Sequence, residues 1–197
     1  MDNVATLGPA RPKSPVRRSL DEYYRHYRLI AGKRGESFSA VAYAGRILAF
    51  SATAQDVDAA LDRLKALIDG DFAERREQRS DAFPSEAEFE RALALAERRL
   101  TGSHIHLLET LRDGNGEVHP LQLQRRAGVD EEMLMRDMAR LARLIADILD
   151  VGLPKGAANV AAALDMIALD IALPIERATP WLFRPQFAAA AGSFLAR

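Results

Sequence analysis

Cysteine is absent from this chain of 197 residues, which removes disulfides, thiolate metal sites and cysteine nucleophiles together. Such a chain suits a reducing compartment, and the expected location is cytoplasmic. An excess of charge is missing too: 27 lysines and arginines face 28 aspartates and glutamates, for a net charge of −1. A molecule-wide attraction to phosphate is therefore excluded, and any affinity for nucleic acid has to rest on a local patch. No apolar run approaches the roughly 20 residues of a membrane span, so no membrane partner is expected. Met1–Ser19, interrupted by Gly8, Pro9, Pro12 and Pro15, lacks the apolar core of a signal peptide. Nor is there a glycine-rich phosphate loop, because Gly32, Gly35 and Gly45 punctuate strand-like segments and do not open a helix. The four histidines are His26, His104, His106 and His119. His104 and His106 are two apart with no third ligand close in sequence, so neither a metal nor another cofactor is expected. No Ser/His/acid order or carboxylate pair stands out. The expectation is a protein that is not an enzyme.

What is present is ordinary for a globular chain: 48% apolar and 28% charged residues, enough for a packed core in one or two domains. The charges are unevenly placed. Between Arg11 and Arg34 stand Arg11, Lys13, Arg17, Arg18, Arg25, Arg28, Lys33 and Arg34, opposed by Asp21 and Glu22. From Asp56 to Arg91 acids outnumber bases. Residues 1–18, with Pro9, Pro12 and Pro15 among four of those basic residues, read as a disordered basic arm. Such an arm either contacts phosphates or simply keeps the chain solvated.

Residues 20–80 read as a β-β-β-α module. Tyr24–Ile30 is aromatic-rich and partly alternating, and Gly32–Gly35 supplies a turn. Ser37–Tyr43 alternates strictly, with Phe38, Ala40 and Ala42 on one face. A turn at Ala44-Gly45-Arg46 leads to a third strand, Ile47–Ser51. Val57, Leu61, Leu64 and Ile68 then repeat at helical spacing, and that helix must cover one face of so small a sheet. Asp69–Ser85 reads as a charged connector.

Residues 84–197 read as a mainly helical, winged-helix-like domain, so the fold class is α+β. Ser85 with Glu88 forms a capping box opening a helix through Phe89, Leu93, Ala96 and Leu100. Ile105, Leu108 and Leu111 continue a second helix, and residues 113–119 make a polar turn. Pro120 starts a short helix, and Gly128 supplies a turn residue that tolerates positive φ. Asp130 caps a helix over Glu131–Leu149. Leu134, Met138, Leu141, Ile145 and Leu149 share one face of it; Arg136, Arg140, Arg143 and Asp147 share another. Leu164–Leu173 suits a strand or a helix by period alone. The strand is favoured, because Trp181-Leu182-Phe183 offers a partner for a wing-like hairpin. Trp181 reads as core, and Phe187–Leu195 as a closing helix.

Three segments resemble known families. The string from Arg125 to Leu141 resembles the turn and recognition helix of bacterial winged-helix regulators, which implies that the second helix enters a major groove. Residues 36–70, carrying Phe38-Ser39-Ala40-Val41, Ser51-Ala52-Thr53 and Ala59–Lys65, resemble the β-β-β-α unit of HicB-type antitoxins, and also suit double-stranded-RNA-binding-like and integrase-arm modules. Residues 84–149 together with Trp181–Phe187 resemble a helical module found beside HNH nucleases in restriction-type proteins, without the nuclease's own histidine and asparagine motif. The reading that unites these features is a nucleic-acid-binding regulatory protein, with duplex DNA the favoured target. Arg11, Lys13, Arg17, Arg18, Lys33 and Arg34 are the first candidates for phosphate contact, followed by Arg125, Arg126, Arg136 and Arg140. The alternative is a protein–protein adaptor, such as an antitoxin or inhibitor, whose acidic 56–90 stretch and acidic helix start at 130–132 meet a basic partner.

Overall fold

The computed structural model describes residues 19–79, 83–153, 160–171 and 179–197; the basic arm at 1–18 lies outside them. Four antiparallel strands form a meander in the order β1-β2-β3-β4: β1 (Ser19–Tyr24), β2 (Tyr27–Arg34), β3 (Ser37–Ala44) and β4 (Ile47–Ala54). The sequence reading of three strands is thus one short. Tyr24–Ile30 is two strands joined by Arg25-His26, whose φ values of 44° and 69° are the left-handed pair of a type I′ hairpin turn. Alternation places Tyr27, Leu29 and Ala31 of β2 and Ala40, Ala42 and Ala44 of β3 in the core. Helix α1 (Val57–Gln78) crosses β4, β3 and β2 on that face. It buries Val57, Leu61, Leu64 and Ile68 as their spacing predicts. It also runs 22 residues, through most of the segment expected to be a connector. Residues 69–78 carry no apolar stripe, but Glu74, Arg76 and Glu77 are good helix formers on an exposed face, and Asp71 pairs with Arg75 one turn on.

The second half begins with α2 (Glu86–Ala96), opened by the expected Ser85–Glu88 capping box, and a 3-10 turn at Glu97–Arg99. There follow α3 (Gly102–Gly114), β5 (Glu117–Val118), α4 (Pro120–Ala127), α5 (Glu131–Leu149), α6 (Val160–Leu164), β6 (Ala168–Asp170), β7 (Trp181–Phe183) and α7 (Pro185–Leu195). The three short strands pair antiparallel in the order β5-β7-β6. The second half is thus mainly helical with a small three-stranded sheet, and the chain as a whole is α+β as expected. The polar turn at 113–119 contributes β5, and the described part of the ambiguous 164–173 segment, through residue 171, holds the end of α6 and then β6. The core gathers Leu107, Leu108 and Leu111 of α3, Leu123 of α4, the inward face of α5, Trp181 and Phe187. Phe89 and Phe187 meet edge to face at 5.4 Å, joining α2 to α7.

The two halves are in contact. Ala94 of α2 is part of the core beneath the four-stranded sheet. Arg79, just past α1, pairs with Glu88 at 2.7 Å and donates to the Leu149 carbonyl at the end of α5 at 3.0 Å. Asp71 of α1 receives Arg91 of α2 at 2.6 Å. Gly45, in the β3–β4 turn at φ +59°, sits so close to α2 that a Cβ there would lie 2.6 Å from the Ala94 carbonyl oxygen.

Candidate nucleic-acid interface

The α4–α5 corner is built as the sequence predicts. Gly128 takes φ +66° and donates its N–H to the Gln124 carbonyl at 2.9 Å, closing α4. The Asp130 carboxylate accepts from the Met133 amide at 2.7 Å, opening α5. Leu134, Met138, Leu141, Ile145 and Leu149 all point into the core. The opposite stripe carries Glu132, Arg136, Arg140, Arg143 and Asp147, spaced four, four, three and four apart on one helix face. Arg136 is paired with Glu132 one turn earlier, so the amino-terminal half of the stripe is electrically neutral. Positive charge gathers in the other half.

There, the 3-10 turn after α2 brings Arg98 and Arg99 against Arg140 and Arg143. Together with Leu100, Leu144 and Asp147 they line a groove of about 630 Å³. Four guanidinium groups against one carboxylate attract an anion, and partial enclosure strengthens the attraction relative to open water. The β1–β2 turn closes the groove at one end. Arg99 donates to His26 Nδ1 at 3.4 Å, and His26 Nε2 lies 3.5 Å from Asp147. Burial holds the His26 pKa below its ordinary value; Asp147 opposes the shift and Arg99 adds to it. Behind α5, His104 is fully buried. Its Nδ1 accepts from the Thr101 amide at 3.1 Å and its Nε2 donates to the Asp137 carbonyl at 2.8 Å. That tautomer is neutral, and desolvation keeps the His104 pKa low. His104 braces α3 against α5.

The six sequence-read candidates among the described residues do not converge. Arg11, Lys13, Arg17 and Arg18 fall outside the described residues. Lys33 and Arg34 are exposed but lie at the far end of β2, roughly 23 Å from the turn that abuts the groove at 3.3 Å per residue. Arg125 is exposed on α4, while Arg126 donates to Thr110 of α3 at 3.3 Å. Arg136 and Arg140 stand on the outward stripe as expected, and Arg140 lines the groove. Arg98, Arg99 and Arg143 complete that groove. Arg143 was legible as the next step of the Arg136–Arg140 stripe. Arg98 and Arg99 were hidden, because nothing local says that the end of α2 lies beside α5. Among the described residues no group of three or more His, Asp or Glu side chains is arranged to hold a metal ion, and no helix is long and apolar enough to cross a membrane.

Comparison with known proteins leaves the reading to the geometry: no family model, no curated protein and no solved structure matches the chain.

Proposed function

We propose that this protein is a non-enzymatic nucleic-acid-binding regulator that engages duplex DNA through the outward stripe of α5 and the arginine groove beside it. The observation that carries the reading is the convergence of Arg98, Arg99, Arg140 and Arg143 along the second helix of a helix-turn-helix corner. An α-helix fits the major groove of B-DNA, and flanking arginines supply the phosphate contacts that fix its register. The near-neutral chain then binds through a patch and not through its overall field. Transcription regulation is the role that suits such a module.

Binding to a labelled duplex of about 20 base pairs, followed by fluorescence anisotropy between low and near-physiological salt, tests this. Affinity is expected to fall steeply with salt, and Arg140→Ala should weaken binding and reduce the salt slope by about one. No duplex binding at low salt would defeat the proposal. The adaptor reading has its own support: Asp130, Glu131 and Glu132 crowd the start of α5, and α1 exposes Asp58, Asp62, Glu74 and Glu77. Co-purification of a basic protein that is released by salt, with no duplex binding, would favour it.

A further inference from the structure

Helix α1 covers one face of the four-stranded sheet and leaves the other uncovered except at one end, where Ala94, Leu95 and Arg98 meet Tyr23, Arg28 and a half-buried Tyr43. Across that open face runs one cross-strand row, fixed by the register: Tyr23 of β1 opposite Arg28 of β2, Arg28 opposite Tyr43 of β3, and Tyr43 opposite Leu48 of β4. Tyr23 is 63% exposed and Leu48 56%, a costly display for two large side chains in one row. Arg28 is gripped side-on by Asp21, through Nε at 3.0 Å and NH2 at 2.6 Å. The pair fixes its guanidinium beside Asp21 and offsets its charge, so Arg28 offers a planar surface more than a phosphate contact. Ile30 and Val41 continue the apolar surface in the next row.

This face is continuous with the arginine groove. Arg98 lines the groove, and it also lines a small cleft with Tyr23, Arg28 and Tyr43 at the sheet's end. Its guanidinium donates to the Tyr23 hydroxyl at 3.2 Å. A chain of phosphates lying on Arg98, Arg99, Arg140 and Arg143 would therefore run past two tyrosine rings. Those rings stand two strands apart, roughly 10 Å at 4.8 Å per strand.

We propose that the open sheet face is a platform for single-stranded nucleic acid, with bases stacked on Tyr23 and Tyr43 and the backbone led into the Arg98/Arg99/Arg140/Arg143 groove. The chemistry selects the occupant. Duplex bases are stacked on one another and cannot lie on a protein ring, whereas unpaired bases do so readily and with little dependence on sequence. The inference rests on the nucleic-acid reading above and extends it from paired to unpaired strands.

The test uses the full chain, with 12-nucleotide oligo-dT and oligo-U alongside the duplex, all followed by anisotropy. Tyr23→Ser and Tyr43→Ser should each weaken single-strand binding by about fivefold to a hundredfold, the loss of one base stack, and Tyr43→Ser should leave duplex binding unchanged. Tyr23→Phe should restore the single-strand affinity. Arg98→Ala should weaken single strands. Arg136→Ala, remote from the sheet, should leave them untouched. Thermal melts of each variant establish that the fold is intact, and Tyr23, being exposed, is the substitution least able to disturb it. Single-strand affinity that is absent, or unchanged in both tyrosine variants, overturns the proposal. So does a concentration-dependent dimer that Tyr23→Ser abolishes, since the face then belongs to a second copy. Loss of duplex binding with single-strand binding retained would defeat the duplex reading and leave this one standing.

Discussion

His104 puts two polar nitrogens into a fully buried site and satisfies both, one from the Thr101 amide and one onto the Asp137 carbonyl. Protonation would strip Nδ1 of its role as acceptor. Its pKa in the folded protein is lowered from an ordinary 6.5 by burial, and that of His26 is lowered by the same cause. Below about pH 6.5 the unfolded chain therefore binds more protons than the folded one, so this contribution to stability is intact above 6.5 and is lost as the pH falls further. Thermal melts between pH 7.5 and 5 should show the melting temperature declining on the acid side. In His104→Ala the fold should lose about 2–3 kcal/mol at neutral pH through a cavity and an unpaired amide, and the acid decline should flatten. An unchanged slope would assign the decline elsewhere. In the sequence, His104 and His106 drew notice for metal-ligand spacing. Set on a helix, two residues apart, they point to different sides: one braces the core and the other meets Glu109 at the surface.

Elements with an apolar face were legible. The 3.6-residue repeat of α5 marked each of its predicted inward side chains, and Pro120, Gly128 and Asp130 punctuated the α4–α5 corner because each performs a backbone task that few other residues can. The β1–β2 hairpin was not legible. Its turn is Arg25-His26 where asparagine and glycine are the usual occupants, and what offsets the left-handed backbone is distant in sequence: Arg25 reaches Asp69 at 2.6 Å, and His26 reaches Arg99 and Asp147. The carboxyl end of α5 shows a similar local misfit. Asp150 holds φ 53°, the Val151 amide returns to the Ala146 carbonyl at 2.9 Å, and no basic residue stands in the last turn. Glycine suits that conformation better, and an acid opposes the helix dipole there. Asp150→Gly should stabilise the protein by about 1 kcal/mol, read as a higher urea midpoint at constant slope. A lower midpoint would show that the Asp150 side chain makes a compensating contact.

At the scale of the molecule, the least legible feature was the docking of the halves. Arg79 joins Glu88 and a carbonyl 70 residues further along, and no periodicity reports such a pairing. Side-chain exposures of 12% and 7% put the Arg79–Glu88 pair largely out of solvent, where removing one partner strands the other. Hydrogen bonds from Arg79 and the Ser85 amide already overcome the burial that would raise the Glu88 pKa, and hold it low. Arg79→Ala should cost about 3 kcal/mol. Because it also frees α5 from α1, urea unfolding followed by both fluorescence and circular dichroism should separate into two transitions where the native protein shows one. Coincident transitions in the variant would mean that the remaining contacts, the Asp71–Arg91 pair and Ala94 against Gly45 among them, suffice to couple the halves. The same distance in sequence explains the site: Arg136 and Arg140 were found from one helix, whereas Arg98 and Arg99 belong to it only once α2 is laid beside α5.

The strand β2, 8 residues long, has one end at the arginine groove and the other at Lys33 and Arg34. For a duplex seated on α5 its length acts as a ruler. Roughly 23 Å corresponds to about seven base-pair steps of 3.4 Å, well short of the 10 to 10.5 that make a full turn. On a straight duplex whose axis ran along β2, the two basic patches would therefore be out of phase. Lengthening the β2–β3 hairpin by two residues in each strand would carry the outer patch about two base pairs onward, and roughly a fifth of a turn around the helix.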